Sequence, residues 1–392
     1  MTEPTHSATF EKAIAVTHID ANRYSAYLDP FWCIGLVPHG GYTASVLYRT
    51  ATTHFQRKAA QSHKKGPSGR AQEPIALQIT FQRRTITGPA ILTVQEIKLG
   101  ARVSTIQVTL LQERGDDPVA ASTPSSTKPE TKKRSDGDDD DDDDNDLEVK
   151  VLAYVTLSPP EAEEGPAVHA PWDLVSPPMP PGSLSSGGID FRALSETGVD
   201  GEWKAGPLAP PTLYAAKHLR VYSPASTLRP KTVHQRVTQV VDQWAQFAPG
   251  GTLARWSNEA VVYFADIFLA GLDRMGAMET MRAARAAAAV GGQDADGADG
   301  EGGEKKVTTG EGLVQFWYPT VTMNIDLKTR LPPDGVEWLH SRVVTRMLRG
   351  GRADLDVVML DQQGQLIALS TQVALVVDPS RNVKGRGKSG KL

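Results

Sequence analysis

Apolar and polar positions alternate in strand-like runs at roughly 75–84, 90–99, 102–112 and 147–158, and again near 313–328, 336–348, 353–361 and 365–377. The two sets repeat one motif. Residues 74–115 open at Pro74, run to Phe81-Gln82-Arg83-Arg84, turn at Gly100-Ala101-Arg102 and continue to Gly115. Residues 319–364 open at Pro319, run to Leu327-Lys328-Thr329-Arg330, turn at Gly350-Gly351-Arg352 and continue to Gly364. Val237 to Phe247 alternates in the same way and predicts another strand. Helical spacing covers Tyr42 to Thr50, after Gly40-Gly41, and Asn258 to Met275, with Ser257 or Asn258 as the cap. Each copy is expected to be one helix inside a mostly antiparallel sheet. A duplicated meander predicts two like domains packed together, in an α+β fold.

The repeat also locates the irregular stretches. The second copy closes its last hairpin at Asp361-Gln362-Gln363-Gly364, whereas the first breaks between Gln112 and Leu147. Residues 113–146 carry Asp138 to Asp144 as an unbroken acidic run, whose charges repel and bury nothing, so a disordered insertion at a hairpin tip is expected. The expected organisation is an N-terminal domain over 1–158, a Pro/Gly/Ser-rich linker over 159–205, a C-terminal domain over 206–380 with a low-complexity insertion at 285–311, and a basic tail over 381–392.

Composition narrows the class of function. The chain is 40% hydrophobic and 22% charged, enough for real cores. Its net charge of −4 argues against nucleic acid as a partner. The single Cys33 excludes an intramolecular disulfide and suits a reducing compartment. It falls in Phe31-Trp32-Cys33-Ile34, which reads as a buried core thiol. No secretory leader and no apolar run of the ~20 residues a membrane span needs are visible, so the expected address is cytoplasmic. The final Ser389-Gly390-Lys391-Leu392 resembles a peroxisomal Ser-Lys-Leu end, with Gly390 in the place of the serine. The histidines show no metal-ligand spacing, and Gly-x-Ser-x-Gly is absent, so neither a metal, a cofactor nor a serine nucleophile is expected.

The chain resembles the double-hotdog acyl-CoA thioesterases of the thioesterase II-like (TesB-like) group and its fungal relatives. The resemblance rests on Pro38-His39-Gly40-Gly41-Tyr42, Phe81-Gln82-Arg83, Gly100-Ala101-Arg102, Ala265-Asp266, Tyr318-Pro319-Thr320 and Ser370-Thr371-Gln372. It implies two tandem hotdog domains and the hydrolysis of an acyl-CoA to a fatty acid and coenzyme A. It also implies that Asp266, Thr320 and Gln372 are the catalytic set. Thioester hydrolysis needs a base for water and donors that orient it, and a carboxylate, a hydroxyl and a carboxamide supply these.

Each residue also has a plainer reading. Asp266 interrupts the apolar run from Val261 to Phe268, as a functional carboxylate would, yet Glu259, Asp266 and Asp273 share the spacing of a solvated helix stripe. Strict alternation puts Thr320 and Thr322 on one strand face, so either could supply the hydroxyl. Gln372 shares a face with Ala368, Ser370 and Ala374, small residues that leave room for an approaching group. Aligning Leu157 with Leu375 sets Tyr154 against Gln372 and Ile75 near Thr320, and the helix at Tyr42 has no carboxylate. One site per chain is therefore expected. His39, Gly40, Gly41 and Tyr42 are expected at the substrate, where N–H groups at a helix start suit an oxyanion or phosphate, unless the glycines only ease a turn. Arg83, Arg84, Arg102, Lys328, Arg330 and Arg352 could meet coenzyme A phosphates or simply be solvated strand ends. The alternative function is a hotdog protein that binds acyl thioesters or a protein partner without turnover, with homo-oligomerisation left open. A hotdog dehydratase would need an Asp/His pair, and no His lies near Asp266 in the chain.

Overall fold

The computed structural model describes residues 9–61, 71–114, 147–164, 189–206, 213–224, 240–267 and 317–377. Most of the acidic insertion, the 285–311 segment and the basic tail lie outside the described residues. In chain order the first half contains α1 (Phe10–Ala13), β1 (Val16–Asp20), β2 (Arg23–Leu28), β3 (Cys33–Ile34), β4 (Val37–Pro38), α2 (Gly40–Gln61), β5 (Glu73–Phe81), β6 (Gly88–Lys98), β7 (Ser104–Glu113) and β8 (Leu147–Ser158). The second contains α3 (Phe191–Thr197), β9 (Val199–Asp200), β10 (Trp203–Ala205), β11 (Leu219–Pro224), β12 (Val240–Phe247), α4 (Asn258–Phe264), β13 (Thr320–Leu327), β14 (Trp338–Arg349), β15 (Arg352–Leu360) and β16 (Leu366–Leu375).

Fourteen strands form one sheet in the order β1-β2-β6-β7-β8-β5-β13-β16-β15-β14-β12-β11-β10-β9. The order reads alike outward from the β5–β13 junction as far as β1 and β11. Each half curls round one helix, α2 or α4, which is the double-hotdog architecture. The halves join where β5 pairs antiparallel with β13, with Asn324 opposite Gln78, Thr322 opposite Thr80 and Asp326 opposite Ala76. Tyr42, Val46, Leu47, Ala51 and Phe55 of α2 are buried, as are Ala260, Val261, Val262, Tyr263 and Phe264 of α4. One apolar core runs through both halves. Phe10 packs on Trp32 at 5.0 Å and on Phe247 at 5.2 Å, and Trp32 lies 5.2 Å from Tyr263.

Both central strands carry the same irregularity. The ladder slips between Pro74 and Ala76 in β5, and between Thr320 and Thr322 in β13. After the slip Leu77 faces Val155 and Met323 faces Gln372. The counterpart of Gln372 is therefore Val155, and that of Thr320 is Pro74. This corrects the alignment that set Tyr154 against Gln372 and Ile75 near Thr320. Leu157 is buried whereas Leu375 is 39% exposed, so matching them exchanges the two faces of the strand. The first copy still offers neither the hydroxyl nor the carboxamide.

Part of the segment expected as a linker over 159–205 is folded: residues 190–205 form α3, β9 and β10, which cover the outer face of β12 and β14. Leu194, Trp203, Tyr222, Trp244 and Trp338 make a second, smaller core there. Asp190 caps α3 by accepting from the Arg192 and Ala193 N–H groups, both at 3.0 Å, and Gly198 ends it at φ 76°. Elements this short leave no periodicity to read.

The acidic insertion springs from a hairpin that is already closed, because Glu113 pairs with Leu147. Loop-closure entropy grows only logarithmically with length. Deleting 116–145 should leave the thermal midpoint unchanged or slightly raised and turnover intact. Loss of cooperative melting in that variant would show that the segment contributes to the fold.

Candidate active site

Asp266 sits where α4 gives out. The Ala265 N–H still reaches the Val261 carbonyl at 3.0 Å, but Asp266 turns back to Tyr263 at 3.4 Å and Ile267 to Phe264 at 3.1 Å. That tighter turn takes Asp266 off the helix stripe and aims its carboxylate inward. The helix expected to reach Met275 ends at Phe264, and residues 268–275, Asp273 among them, lie outside the described residues. Asp266 is 4% exposed, whereas Glu259 stays on the helix flank, paired with Arg49 at 3.1 Å.

Three side-chain or backbone groups converge on the carboxylate. Oδ2 accepts from the Gly41 N–H at 2.8 Å, and Oδ1 accepts from Thr320 Oγ1 at 2.9 Å. His39 Nε2 lies 3.3 Å from Oδ2 and 3.2 Å from the Asp266 carbonyl oxygen. Burial raises the Asp266 pKa, and His39, Thr320 and Gly41 pull it partly back. Burial also lowers the His39 pKa, against the opposing pull of Asp266.

Thr320 reaches Asp266 because of the slip in β13. Thr320 faces Ala374, on the buried face that also carries Ser370 and Gln372. Thr322 lies beyond the extra residue and falls in with exposed Asn324 and Asp326. The two threonines thus occupy opposite faces, which resolves the ambiguity left by simple alternation. Gln372 is 3% exposed, and its Nε2 donates to the Ala265 carbonyl at 2.6 Å. Its Oε1 is buried with no hydrogen-bond partner among the described residues.

The glycines serve close approach. A Cβ on Gly40 would stand 2.6 Å from Asp266 Oδ2, and one on Gly41 would overlap the Tyr263 carbonyl oxygen and stand 2.9 Å from the Asp266 Cβ. Neither has positive φ, so a left-handed turn is not what requires them. Tyr42 points elsewhere. Its hydroxyl donates to the Ala13 carbonyl at 2.8 Å and accepts from the Asp29 N–H at 3.0 Å, bracing the N-terminal segment.

A pocket of about 230 Å³ opens onto this cluster. Asp266, Thr320, His39 and Gly40 form part of its wall, while Gly41, Tyr42 and Gln372 stand behind it. Ile34, Val37, Phe81, Trp317, Tyr318 and Leu375 make it largely apolar, and Arg83 and Arg84 bring positive charge. Of the basic residues considered from sequence, Arg83 and Arg84 alone border the pocket. Arg83 pairs with Glu148 at 3.2 Å, Arg330 with Glu73 at 3.1 Å and with Glu163, Lys328 with Asp326 at 3.1 Å, and Arg352 with Asp354 at 3.4 Å. Cys33 is 1% exposed, with burial pushing its thiol up to about 12, so it is no nucleophile.

One relation escaped the sequence. His39 and Asp266 lie 227 residues apart and form a buried Asp/His pair across the two halves. Asp266 has no histidine near it along the chain but has His39 beside it in space. The motif His39-Gly40-Gly41 was visible, but alternation and spacing carry no information about which element faces it.

Family models place the chain clearly. A model described as the acyl-CoA thioesterase N-terminal domain matches residues 28–125, and one described as the acyl-CoA thioesterase C-terminal domain matches residues 194–376. The thioesterase-like protein TwmA of Talaromyces wortmannii is 28% identical over 394 residues, covering 98% of this chain and 97% of TwmA. A conserved protein of unknown function with a hot dog fold from Alicyclobacillus acidocaldarius aligns over 96% of this chain and 99% of its own, at 15% identity and a TM-score of 0.58. A proposed thioesterase II from Thermobifida fusca YX aligns over 93% of this chain and 98% of its own, at 18% identity and a TM-score of 0.56. The last two likenesses bear on the fold alone.

Proposed function

Since the chain belongs to the acyl-CoA thioesterase family and is a thioester hydrolase, we propose that it cleaves an acyl-CoA to a free fatty acid and coenzyme A, with Asp266 as general base. The observation that carries this reading is the buried carboxylate on the pocket wall, held by Thr320 at 2.9 Å and Gly41 at 2.8 Å. Asp266 takes a proton from a water molecule as the water oxygen attacks the thioester carbonyl carbon. Thr320 orients that water from the wall, the unpartnered Gln372 Oε1 behind the wall is a further acceptor for it, and the start of α2 at Gly40 stabilises the oxyanion. As the tetrahedral intermediate collapses the C–S bond breaks, and the proton held by Asp266 passes to the departing thiolate. The apolar wall accommodates acyl carbon, and Arg83 and Arg84 lie where the anionic coenzyme would enter. No covalent nucleophile, metal or cofactor enters this scheme. Release of coenzyme A from palmitoyl-CoA, followed with a thiol reagent, tests it. Tight binding with no release would favour the non-catalytic binder.

Dehydratase chemistry fits the same site less well. A neutral imidazole has a single ring lone pair. Two Asp266 oxygens face Nε2 of His39 and the Tyr42 N–H faces Nδ1 at 3.4 Å, an arrangement that favours the ring hydrogen on Nε2 and turns the lone pair to the helix instead of to a substrate carbon.

The two threonines give a paired test. Thr320→Val removes a hydroxyl bound to the base and should lower kcat by about 10²-fold, in the range for losing one oriented donor. Thr322→Val, on the outer face, should stay within about twofold of wild type, the ordinary tolerance of a surface position. Steady-state rates on one acyl-CoA decide it, and equal losses in both would mean that the register of β13 is misassigned.

A further inference from the structure

His39 does two jobs with its two ring nitrogens, and the pair of contacts fixes its chemical state. It directly precedes α2, and Nδ1 faces the N–H of Tyr42, the third residue of the helix, at 3.4 Å. That is the position of a helix-capping acceptor. With Nδ1 accepting, the ring hydrogen resides on Nε2. Nε2 in turn lies 3.2 Å from the Asp266 carbonyl oxygen and 3.3 Å from Oδ2, so the one N–H is shared between the main chain and the carboxylate of the same residue. The ring is 3% exposed and packs edge-on to Tyr263 at 5.4 Å.

We propose that His39 is a positioning residue of the hydrolytic site: a neutral imidazole, locked as the Nε2–H tautomer by its capping contact, that fixes Asp266 in a single orientation and leaves Oδ1 with Thr320 turned to the water. The proposal rests on Asp266 being the base. It replaces the simpler idea that His39 binds substrate.

Protonation of the ring would set an Nδ1–H against the Tyr42 N–H and break the cap. Burial opposes that protonation, so the imidazole stays neutral through the physiological range. The charged and titratable groups around it are Asp266 beyond α4, Tyr263 on α4 and His218 behind. The Tyr263 hydroxyl is committed to the Ala215 carbonyl. His218 donates to the Phe31 carbonyl at 2.8 Å and accepts from the Gly250 N–H at 3.1 Å, which keeps it neutral as well. Asp266 is thus the charge that His39 faces.

Two substitutions separate the two nitrogens. In His39→Asn the amide oxygen stands in for Nδ1 and keeps the cap, but the side chain is too short to reach Asp266. In His39→Gln the amide nitrogen stands in for Nε2 and keeps the donor, while the cap is lost. The measurements are kcat and KM on one acyl-CoA across pH, with a thermal melt for each variant. His39→Asn should melt close to wild type yet lose about 10- to 100-fold in kcat with KM unchanged, the scale on which a displaced catalytic group costs rate. Its acid limb should move to higher pH, because a donor to the carboxylate is gone. His39→Gln should melt lower, by the loss of a cap, yet keep kcat within a few-fold and its acid limb in place. Activity that follows the melting order instead would reduce His39 to a structural cap. A rise in KM alone in His39→Asn would make it a substrate contact. If Asp266→Asn is itself fully active, the assignment of the base fails first. If Asp266→Asn is inactive while His39→Asn is unaffected, the positioning role alone is overturned.

Discussion

Asp266→Asn should lower kcat by about 10²- to 10⁴-fold, the usual cost of losing a general base, while the protein melts at or slightly above the wild-type temperature. The substituted amide keeps the shape and much of the hydrogen bonding. Its oxygen can face the Gly41 N–H and His39, and the Thr320 hydroxyl can rotate to accept from its nitrogen. The sign of the stability change follows from the direction of the pKa shift. Asp266 is raised above the ordinary carboxylate value because burial disfavours its charged form. A group whose folded-state pKa is raised favours folding at low pH and loses that contribution as pH rises through the folded value. At neutral pH the ionised carboxylate therefore costs stability, and the neutral amide removes the cost. The gain should shrink as the pH is lowered through the Asp266 pKa. For the same reason the acid limb of wild-type kcat should fall above the range of an exposed aspartate. Glu259→Gln is the control, since it changes a carboxylate of α4 that is paired with Arg49 of α2 and lies away from the pocket. Matching rates for wild type, Asp266→Asn and Glu259→Gln would remove the proposed mechanism.

Gly41→Ala should damage both stability and turnover. On an open helix, alanine in place of glycine would gain about 1 kcal/mol from helix propensity. Here the new carbon would overlap the Tyr263 carbonyl oxygen and stand 2.9 Å from the Asp266 Cβ. A backbone oxygen inside a helix does not swing aside, so α2 and α4 must part. Overpacking of that kind costs about 1–3 kcal/mol, at times more. The same displacement pulls the Gly41 N–H from Oδ2, so the surviving folded protein should turn over poorly. A melt and a rate on the same sample test both parts. An alanine variant with wild-type melting and full rate would mean that the helices are not pressed together at this point.

Much of the architecture can be read from alternation and from the duplicated meander. The eight meander strands fall within a few residues of their expected limits, apart from β13, which begins at Thr320 rather than near 313. Gln372 is legible because β16 alternates without interruption from Ala368 onward, so its buried face follows from Ala368, Ser370 and Ala374. Thr320 is not separable from Thr322 in the same way, since one extra residue in β13 inverts the phase and no residue type in Pro319-Thr320-Val321-Thr322 announces it. The end of α4 is equally silent. No glycine or proline stands in Ala265-Asp266-Ile267, where the helix gives out, and the spacing from Glu259 to Asp273 suggests continuation. The β1–β2 hairpin and the α3 cover are too short and mixed in composition to show a period.

The site takes His39, Gly40 and Gly41 from one half and Asp266, Thr320 and Gln372 from the other. A chain that arose by duplicating one unit would begin with two such composite clefts. Here one cleft keeps its hydroxyl and carboxamide, and the corresponding strand positions of the other hold Pro74 and Val155. The labour is divided between the halves: the one whose helix start has no carboxylate supplies the His39 and Gly41 contacts on which its sister's acid is mounted. Exchanging either half for that of a distant relative should abolish hydrolysis unless the two partners have diverged together.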